Sequence, residues 1–217
     1  ENESVMHACG HDLHIAALLA VAAILSTKEA RAKLHGTVRL CFQHAEEIGH
    51  GGQQFSEAGV MEGGDRAFGI HVSSLVPLGQ VAVRPGGVMA SVDHFIVKVK
   101  GKSAHVGNPQ DGIDALEIAC EMVTALQTIV SRNMDPQEAV VLGIGKINAG
   151  TAYNIVAQNA VFEGTLRTLS PRMRKKALEK FKQIVQHLAL AYGAEVEITL
   201  NAYSDPLIND ETLCRKL

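Results

Sequence analysis

Residues 6–14 read Met-His-Ala-Cys-Gly-His-Asp-Leu-His, and a stretch with helical periodicity follows them directly. The apolar positions of that stretch recur every three or four residues, which predicts an amphipathic helix. They are Ile15, Leu18, Leu19, Ala22 and Leu25. A thiol and several imidazoles therefore crowd the start of a helix, and these groups are ligands that zinc and similar ions accept. The stretch predicts a metal site at the mouth of a helix.

Two further groups of possible ligands follow apolar runs. Residues 37–42 are predicted to form a buried strand and residues 66–71 another short strand. Both alternate with helices, which indicates an α/β sheet. In such a sheet, ligands collect at the carboxyl ends of the strands. Glu46, Glu47 and His71 are expected at those ends.

The adjacent carboxylates of Glu46 and Glu47 can divide two tasks. If the strand continues through this pair, the two side chains point to opposite faces, so one carboxylate is expected to bind a metal ion while the other takes a proton from a water. A polar helix cap at residues 7–14 and a solvated acidic loop would explain each cluster separately, but not their convergence. The candidate metal ligands are Cys9, His11, Glu47 and His71.

The composition argues against several classes of partner. A formal net charge of -3 and 4% aromatic residues give no electrostatic basis for nucleic-acid binding, although small anionic substrates stay compatible. No signal peptide or membrane-spanning segment is expected. The cysteines at positions 9, 41, 120 and 214 show no paired spacing, which favours reduced thiols in a cytosolic protein.

Both ends of the sequence predict an internal piece of a longer protein. The chain begins Glu-Asn-Glu-Ser without an initiator methionine and runs straight into the richest motif. Residues 209–213 look like a helix that is only beginning.

The pattern changes after Arg84-Pro-Gly-Gly, which predicts a hinge because proline fixes φ and glycine admits turns. The order that follows is β-α-β-β-α-β, a ferredoxin-like split unit. Its predicted elements are a strand at 91–100, a helix at 113–130, strands at 139–147 and 160–168, a helix at 171–192 and a strand at 195–200. The predicted domains are 1–88, 89–201, and a return of 202–217 into the first domain.

Several spaced motifs resemble a known family, in order along nearly the whole chain. They are similar to motifs of the amidohydrolase branch of the aminoacylase and glutamate-carboxypeptidase superfamily, which includes hippurate hydrolases, indoleacetyl-amino-acid hydrolases and N-acetyl-amino-acid deacetylases. The motifs are MHACGHDLHIAALL, FQHAEEIGHGG, EAGVMEGG, FGIHVSSLVPLGQVAVRPGGVMA, GKSAHVGNPQDGIDAL and NIVAQNAVFEGTLR.

The resemblance implies a fold and an activity. The fold is part of a zinc-peptidase-like catalytic domain with an inserted ferredoxin-like dimerisation, or lid, domain. The activity is hydrolysis of the amide bond of N-acyl amino acids, such as acetyl, benzoyl or other aryl-acyl derivatives. Two divalent ions per site, Zn²⁺, Mn²⁺ or similar, are implied as cofactors.

The resemblance also assigns roles at the metal site. Cys9 and His11 are implied as metal ligands, Glu46 as the general base, and Glu47 and His71 as further ligands. The family uses one more histidine ligand near its C-terminus and an Asp-rich motif upstream. No residue here matches either, which agrees with the prediction of an internal piece.

A histidine in the second domain carries a further implied role. A loop histidine such as His105 is more often a surface residue, but the resemblance implies that it reaches the active site of the partner subunit in a homodimer and stabilises the oxyanion. The usual Gly-Gly-His-Ala reads Ser-Ala-His-Val here, and the usual Pro-His is replaced within Asn108-Pro-Gln. These departures concern the rim that selects the substrate.

Four more residues are singled out. Asn154 and Arg167 are candidate substrate contacts, because a guanidinium can hold a carboxylate through two hydrogen bonds, although a strand arginine can equally sit in a salt bridge. His14 can orient a metal ligand or be simply packed. His44 stands where the family commonly has proline.

Three alternatives to the N-acyl-amino-acid hydrolase stay open. One is a metal-dependent dipeptidase or carboxypeptidase, another a binding protein that keeps the fold without catalysis, and the third a truncated fragment that dimerises but is catalytically incomplete. An intact Glu46 argues against the second.

Overall fold

The computed structural model describes residue 6 and residues 8–217. The chain divides into two compact units, Glu1–Ala82 and Val83–Leu217, here called unit 1 and unit 2. None of the helices in the described residues combines the length and the apolar character that a bilayer crossing needs.

The described residues of unit 1 form three helices. They are α1 (His11–Leu25), α2 (Lys28–Lys33) and α3 (Gly51–Glu57). Helix α1 begins after Gly10, whose φ of 80° is a left-handed conformation that glycine adopts without steric cost. Helix α2 is short and follows at once because the hydroxyl of Thr27 caps it, accepting a hydrogen bond from the backbone N–H of Ala30. The sequence did not predict α2.

The predicted apolar stripe of α1 is only partly correct. Leu18, Ala22 and Leu25 are half-buried and share a side of the helix with His11 and His14. Ile15 and Leu19 are exposed, so apolar side chains surround much of the helix instead of forming one face.

The two strands predicted in unit 1 are wrong. Residues 37–42 and 66–71 form no strand, and Phe42, Phe68 and Ile70 within them are exposed, not buried. A strand needs a neighbour to pair its N–H and C=O groups, and within the described residues neither segment has one. A side chain links residues 37–42 to the segment after α3 instead: the guanidinium of Arg39 donates to the backbone carbonyl oxygens of residues 60 and 62.

Unit 2 is built around an antiparallel sheet of four strands, in the order β3-β4-β2-β5, with a separate pair of strands, β1 and β6. Its strands are β1 (Gly86–Met89), β2 (Val92–Lys100), β3 (Val140–Ala149), β4 (Asn159–Thr168), β5 (Glu195–Ser204) and β6 (Leu207–Asn209). Its helices are α4 (Ala115–Thr128), α5 (Pro171–Tyr192) and α6 (Glu211–Cys214), with a short 3₁₀ turn at Pro109–Asp111 and a π-helical turn at Ile129–Asn133.

The order β2-α4-β3-β4-α5-β5 agrees with the β-α-β-β-α-β order predicted from the sequence. The structure therefore has a mixed α/β architecture. Residues 207–209 pair with β1 inside unit 2. The expected return of residues 202–217 into the first domain, and the domain limits at 88 and 201, stay predictions.

Both helices α4 and α5 pack on one face of the sheet and form the core with it. Alternate residues of β2 and β4 face the helices, as the pleat of a strand requires. The ring of Phe95 lies with its centroid 4.6 Å from that of Phe181 and 6.5 Å from that of Phe162. Gly164 of β4 lies opposite Phe95 of β2, and a Cβ at position 164 would lie 2.4 Å from an atom of the Phe95 ring. Glycine is therefore required at position 164 for the ring to occupy this place.

Helix α5 has clear signals at both ends. Ser170 caps its N-terminus by accepting a hydrogen bond from the N–H of Met173, and Pro171 occupies the first turn, where its missing N–H is not needed. Gly193, with φ of 71°, ends the helix in a left-handed conformation. These signals explain why the predicted limits, 171 and 192, agree with the structure.

A buried ion pair ties α5 to the sheet. The guanidinium of Arg174 donates through Nε and Nη2 to the two carboxylate oxygens of Asp93, at 2.8 and 2.7 Å, and through Nη1 to Asp205. Asp93 is buried and Arg174 is largely so. The neighbouring carboxylates raise the pKa of Arg174, chiefly through the hydrogen bonds to Asp93.

The other face of the sheet is polar. Cross-strand ion pairs join Lys146 to Glu163 at 2.7 Å, Lys100 to Glu195 at 2.9 Å, and a further lysine and glutamate on β2 and β5. Such pairs directly opposite one another support the antiparallel register.

Candidate metal centre

A thiol and two imidazoles come together in unit 1. The Sγ atom of Cys9 lies 3.3 Å from Nε2 of His71, although 62 residues separate them in the sequence. Cys9, His11 and His71 each offer one possible ligand atom, and these atoms lie within 4.8 Å of one another. Cys9 lies just before α1 and His11 is its first residue, so the helix start and the segment ending at His71 meet at this point.

The acidic pair meets the same imidazole. Nε2 of His11 lies 3.3 Å from Oε2 of Glu46 and 3.8 Å from Oε1 of Glu47. Opposite directions were expected only if the strand continued through Glu46 and Glu47, and the strand does not continue there. The reason is Ala45, whose φ of 53° is left-handed: it ends any extended conformation, and residues 46–49 form a turn that directs both carboxylates toward His11.

Short contacts with α3 fix the acidic turn. The N–H of Gly51 donates to the carbonyl of Ala45 at 3.3 Å, and a Cβ at position 51 would lie 1.6 Å from the carbonyl oxygen of His44. Nε2 of His44 donates to Oε1 of Gln54 at 2.5 Å, which links the residue before the turn to the body of α3. His44 therefore belongs to the support of the acidic turn, a role that its position in the sequence does not reveal.

His14 lies on the same side of α1 as His11 and contacts the segment of His71. Its Nε2 accepts a hydrogen bond of 3.0 Å from the backbone N–H of Val72, and its ring meets the His71 ring edge-on with centroids 4.4 Å apart. Partial burial lowers the pKa of His14, and the nearby imidazoles of His71 and His11 lower it further. The neutral form that this favours is the form that can accept the hydrogen bond.

The donor set fits divalent metal ions. Thiolate, imidazole and carboxylate groups together suit zinc and related first-row ions, and the groups converge from distant parts of the sequence, as metal ligands do. The five residues form two overlapping groups, Cys9-His11-His71 and His11-Glu46-Glu47, which share His11. Such an arrangement is chemically suited to holding more than one ion.

Two of the three residues of unit 2 that are candidates for catalysis or substrate binding lie side by side. His105 forms an isolated bridge with Ile155, and the N–H of Val106 donates to the carbonyl of Asn154 at 3.0 Å. Nδ1 of His105 accepts a hydrogen bond from the N–H of Gly107, also at 3.0 Å, which in a neutral ring leaves the proton on Nε2. The structure thus brings His105 and the backbone of Asn154 together.

The third candidate, Arg167, lies on β4 opposite Val141 of β3, with its side chain exposed. Within the part of the chain that the structure describes, its guanidinium makes no ion pair, whereas Arg174 is fully occupied by two carboxylates. The alternative that Arg167 serves in a salt bridge finds no support among these residues.

Comparison with known proteins gives a consistent family. A profile described as peptidase family M20/M25/M40 matches residues 1–217. The chain is 38% identical over 213 residues to an N-acetyl-L-cysteine deacetylase of Bacillus subtilis, a match that covers 98% of this chain and 51% of the relative. It is 39% identical over 219 residues to thermostable carboxypeptidase 2 of Saccharolobus solfataricus, with 97% and 55% covered.

A solved structure agrees with these relatives. The crystal structure of a Bacillus subtilis protein described as a dinuclear metal-binding peptidase of the M20 family superposes with a TM-score of 0.79 at 35% identity, covering 97% of this chain and 52% of the other. The chain spans about half the length of the curated relatives it matches.

Proposed function

The chain belongs to the peptidase family M20/M25/M40, and from this membership we propose that the whole protein is a metal-dependent amidohydrolase. Its substrates are N-acyl amino acids, with an acetyl, benzoyl or other aryl-acyl group, and its products are the free amino acid and a carboxylate. One observation carries the proposal: a thiol, two imidazoles and two carboxylates from three separate segments of the chain come together, with His11 at their centre.

The proposed ligands are Cys9, His11, Glu47 and His71, which hold two divalent ions such as Zn²⁺ or Mn²⁺. The two overlapping groups that share His11 support a site for more than one ion. When bound, the ions polarise the amide carbonyl and lower the pKa of a water molecule.

Glu46 is the proposed general base and acid. Its carboxylate takes a proton from the attacking water, whose oxygen forms a bond to the amide carbon. The carbon–nitrogen bond then breaks as Glu46 delivers that proton to the leaving amine. The turn after Ala45 supports this role because it brings the carboxylate of Glu46 beside that of Glu47, so that a base and a ligand lie side by side.

A second subunit completes the proposed site. The β-α-β-β-α-β portion, residues 89–201, is proposed as an inserted ferredoxin-like dimerisation and lid domain, with residues 1–88 and 202–217 belonging to the catalytic domain. Nε2 of His105 then donates a hydrogen bond to the oxyanion in the site of the other subunit. The hydrogen bond from Gly107 supports this, because it keeps the donor proton on Nε2.

Asn154 and Arg167 are the proposed substrate contacts. A guanidinium without an ion-pair partner in the described structure suits the carboxylate of an amino acid, which it can bind through two parallel hydrogen bonds. We also propose a reducing compartment, the cytoplasm, since all four cysteines are free thiols.

A second candidate function is a metal-dependent dipeptidase or carboxypeptidase. The relative described as a carboxypeptidase favours it, as does the segment Asn108-Pro109-Gln110, which departs from the pattern of the acyl-amino-acid hydrolases. Asn108 caps a 3₁₀ turn, Pro109–Asp111, that begins four residues after His105, where it can border the substrate.

The test uses the protein as its gene encodes it, with a panel of N-acetyl, benzoyl and indoleacetyl amino acids alongside dipeptides. The variant Glu46→Gln should keep its metal content and lose kcat by roughly three orders of magnitude, because the ligands stay while the base is removed. Glu29→Gln, an exposed glutamate on α2, is the matched control. Near-normal turnover by Glu46→Gln with metal bound would show that another group is the base. Preferential cleavage of dipeptides would select the second candidate, and no turnover of any substrate would leave a catalytically incomplete protein.

A further inference from the structure

The backbone of one residue, Val72, makes two hydrogen bonds to histidines at the candidate metal centre. The backbone N–H of Val72 donates to Nε2 of His14 at 3.0 Å, and the backbone C=O of Val72 lies 2.6 Å from Nδ1 of His71. Two histidines that are 57 residues apart are thus joined through the backbone of a single residue.

These contacts fix which ring nitrogen carries the proton. A carbonyl oxygen only accepts, so Nδ1 of His71 is the protonated nitrogen, and Nε2 of the neutral ring keeps its lone pair. That Nε2 is the atom 3.3 Å from Sγ of Cys9. A backbone N–H only donates, so Nε2 of His14 is unprotonated, and its proton lies on Nδ1.

The side chain of Val72 also packs against the start of α1. A Cβ at Gly10 would lie 2.6 Å from a methyl carbon of Val72, so the start of α1 approaches this residue as closely as a glycine permits. The His14 ring lies edge-on to the His71 ring, at an interplanar angle of 74°. One side of Val72 is therefore packed against the start of α1, while the residue as a whole is 41% exposed.

We infer that His14 is a positioning residue that anchors the backbone of Val72 through its N–H, so that the carbonyl of the same residue keeps His71 in the tautomer with Nε2 free to bind metal. The inference rests on the proposed function in one respect, that His71 is a ligand. Metal-binding histidines generally donate their other ring N–H to a carbonyl or carboxylate, and this contact orients the ring and raises its basicity. Here the residue that supplies this carbonyl is also bound, through its N–H, by a second imidazole one helical turn beyond His11.

Two substitutions separate the hydrogen bond from the packing. His14→Phe keeps the ring against His71 but has no acceptor for the Val72 N–H. His14→Gln loses the ring but can present its Oε1 where Nε2 of histidine lies. His35, an exposed histidine of unit 1, provides the control His35→Phe.

The experiment uses the protein as its gene encodes it, labelled with ¹⁵N-histidine, and measures two quantities. The tautomer of His71 in the metal-free protein is read from long-range ¹H–¹⁵N spectra, with His71→Gln to assign its signals. Affinity for Zn²⁺ is measured by competition with a chromophoric chelator. We expect the Nδ1–H tautomer in the unmodified protein, a mixture of tautomers with about 10–100-fold weaker Zn²⁺ binding in His14→Phe, and near-normal values in His14→Gln and His35→Phe.

Three results would overturn the inference. The first is an Nε2–H tautomer of His71 in the unmodified protein, a measurement that needs no variant to fold. The second is unchanged tautomer and affinity in His14→Phe. The third is loss of one equivalent of Zn²⁺ in both His14 variants, which would make His14 a ligand itself. Failure of the proposed ligand set is distinguishable, since His71→Gln would then bind Zn²⁺ as tightly as the unmodified protein.

Discussion

Helices α1 and α5 show how differently the two units use their side chains. Helix α1, in unit 1, is almost entirely apolar after its first turn, yet none of its residues is buried. Helix α5, in unit 2, is rich in lysine and arginine, yet it buries a residue at every fourth position: Met173, Ala177, Phe181, Val185 and Ala189. Apolar composition alone therefore does not bury a helix: α5 is buried along the stripe that packs into the core with the sheet of unit 2.

The same contrast extends to the whole units. Among the described residues of unit 1, only Gly51 is buried, and the candidate ligands are held by local polar contacts. The hydrophobic core lies in unit 2. Changes in unit 1 should therefore act on chemistry, and changes in the core of unit 2 on stability.

His105 tests this division most strongly, because it lies in unit 2 and is proposed to act in catalysis. His105→Ala should lower kcat by roughly 10²–10³-fold, because an oxyanion donor is lost. Mixing it with the Glu46→Gln variant should restore part of the activity, since a mixed dimer can hold one site with both groups intact. Activity before and after subunit exchange, followed by native mass spectrometry, checks this. Exchange without any recovery would remove His105 from a shared site.

The core itself offers the largest stability effect. Phe162→Ala, at a fully buried position of unit 2, should lower the free energy of unfolding of the 217-residue chain by about 3–5 kcal/mol, because it leaves a cavity beside Phe95. Leu19→Ala on α1, where the side chain is 56% exposed, should cost less than about 0.5 kcal/mol. Urea unfolding monitored by circular dichroism measures both. Equal losses would contradict the contrast between the units.

The buried ion pair should matter less than the core. Asp93→Asn leaves the guanidinium of Arg174 with the exposed Asp205 as its charged partner, and should lower the free energy of unfolding by about 2–3 kcal/mol, below the range for a fully enclosed pair. Asp205→Asn, with a side chain 84% exposed, should cost less than about 1 kcal/mol. The same unfolding experiment compares the two variants. A larger loss of unfolding free energy for Asp205→Asn would show that Asp205, and not Asp93, is the main partner of Arg174.

The smallest expected effect depends on pH. The hydrogen bond from Lys146 lowers the pKa of Glu163, so the folded protein releases this proton more readily than the unfolded chain does. The resulting stabilisation is present above the carboxyl's ordinary pKa and is lost as the pH falls through the lowered value. Glu163→Gln should therefore lower the Tm slightly at about pH 7 and not at about pH 3. A difference that persists in acid would mean that packing, not charge, is responsible.

Unit 2 was predictable because its signals are local and agree with each other. Alternation on β2, the stripe of α5 and the signals at Ser170 and Gly193 each give the same answer. Residues 37–42 and 66–71 were predicted wrongly because a short apolar run does not indicate whether a pairing strand is present.

At the candidate site, residue types were predictable but geometry was not. The convergence of Cys9, His11 and His71 follows from residue types that metals select. The turn that redirects Glu46 depends on Ala45 in a left-handed conformation, which alanine rarely adopts and its sequence does not mark. The link from His14 to Val72 uses a backbone N–H, a group that every residue except proline offers.

The two glycines at the start of α3 have different prospects under mutation. A Cβ at Gly51 would collide with the backbone of His44, whereas a Cβ at Gly52 would meet nothing within 4 Å. Random drift can therefore replace the second glycine freely, while any replacement of the first must displace the acidic turn. The position of the acidic pair thus depends on a neighbouring residue that has no side chain. In a saturation library selected for activity, position 52 should accept many residues and position 51 almost none but glycine.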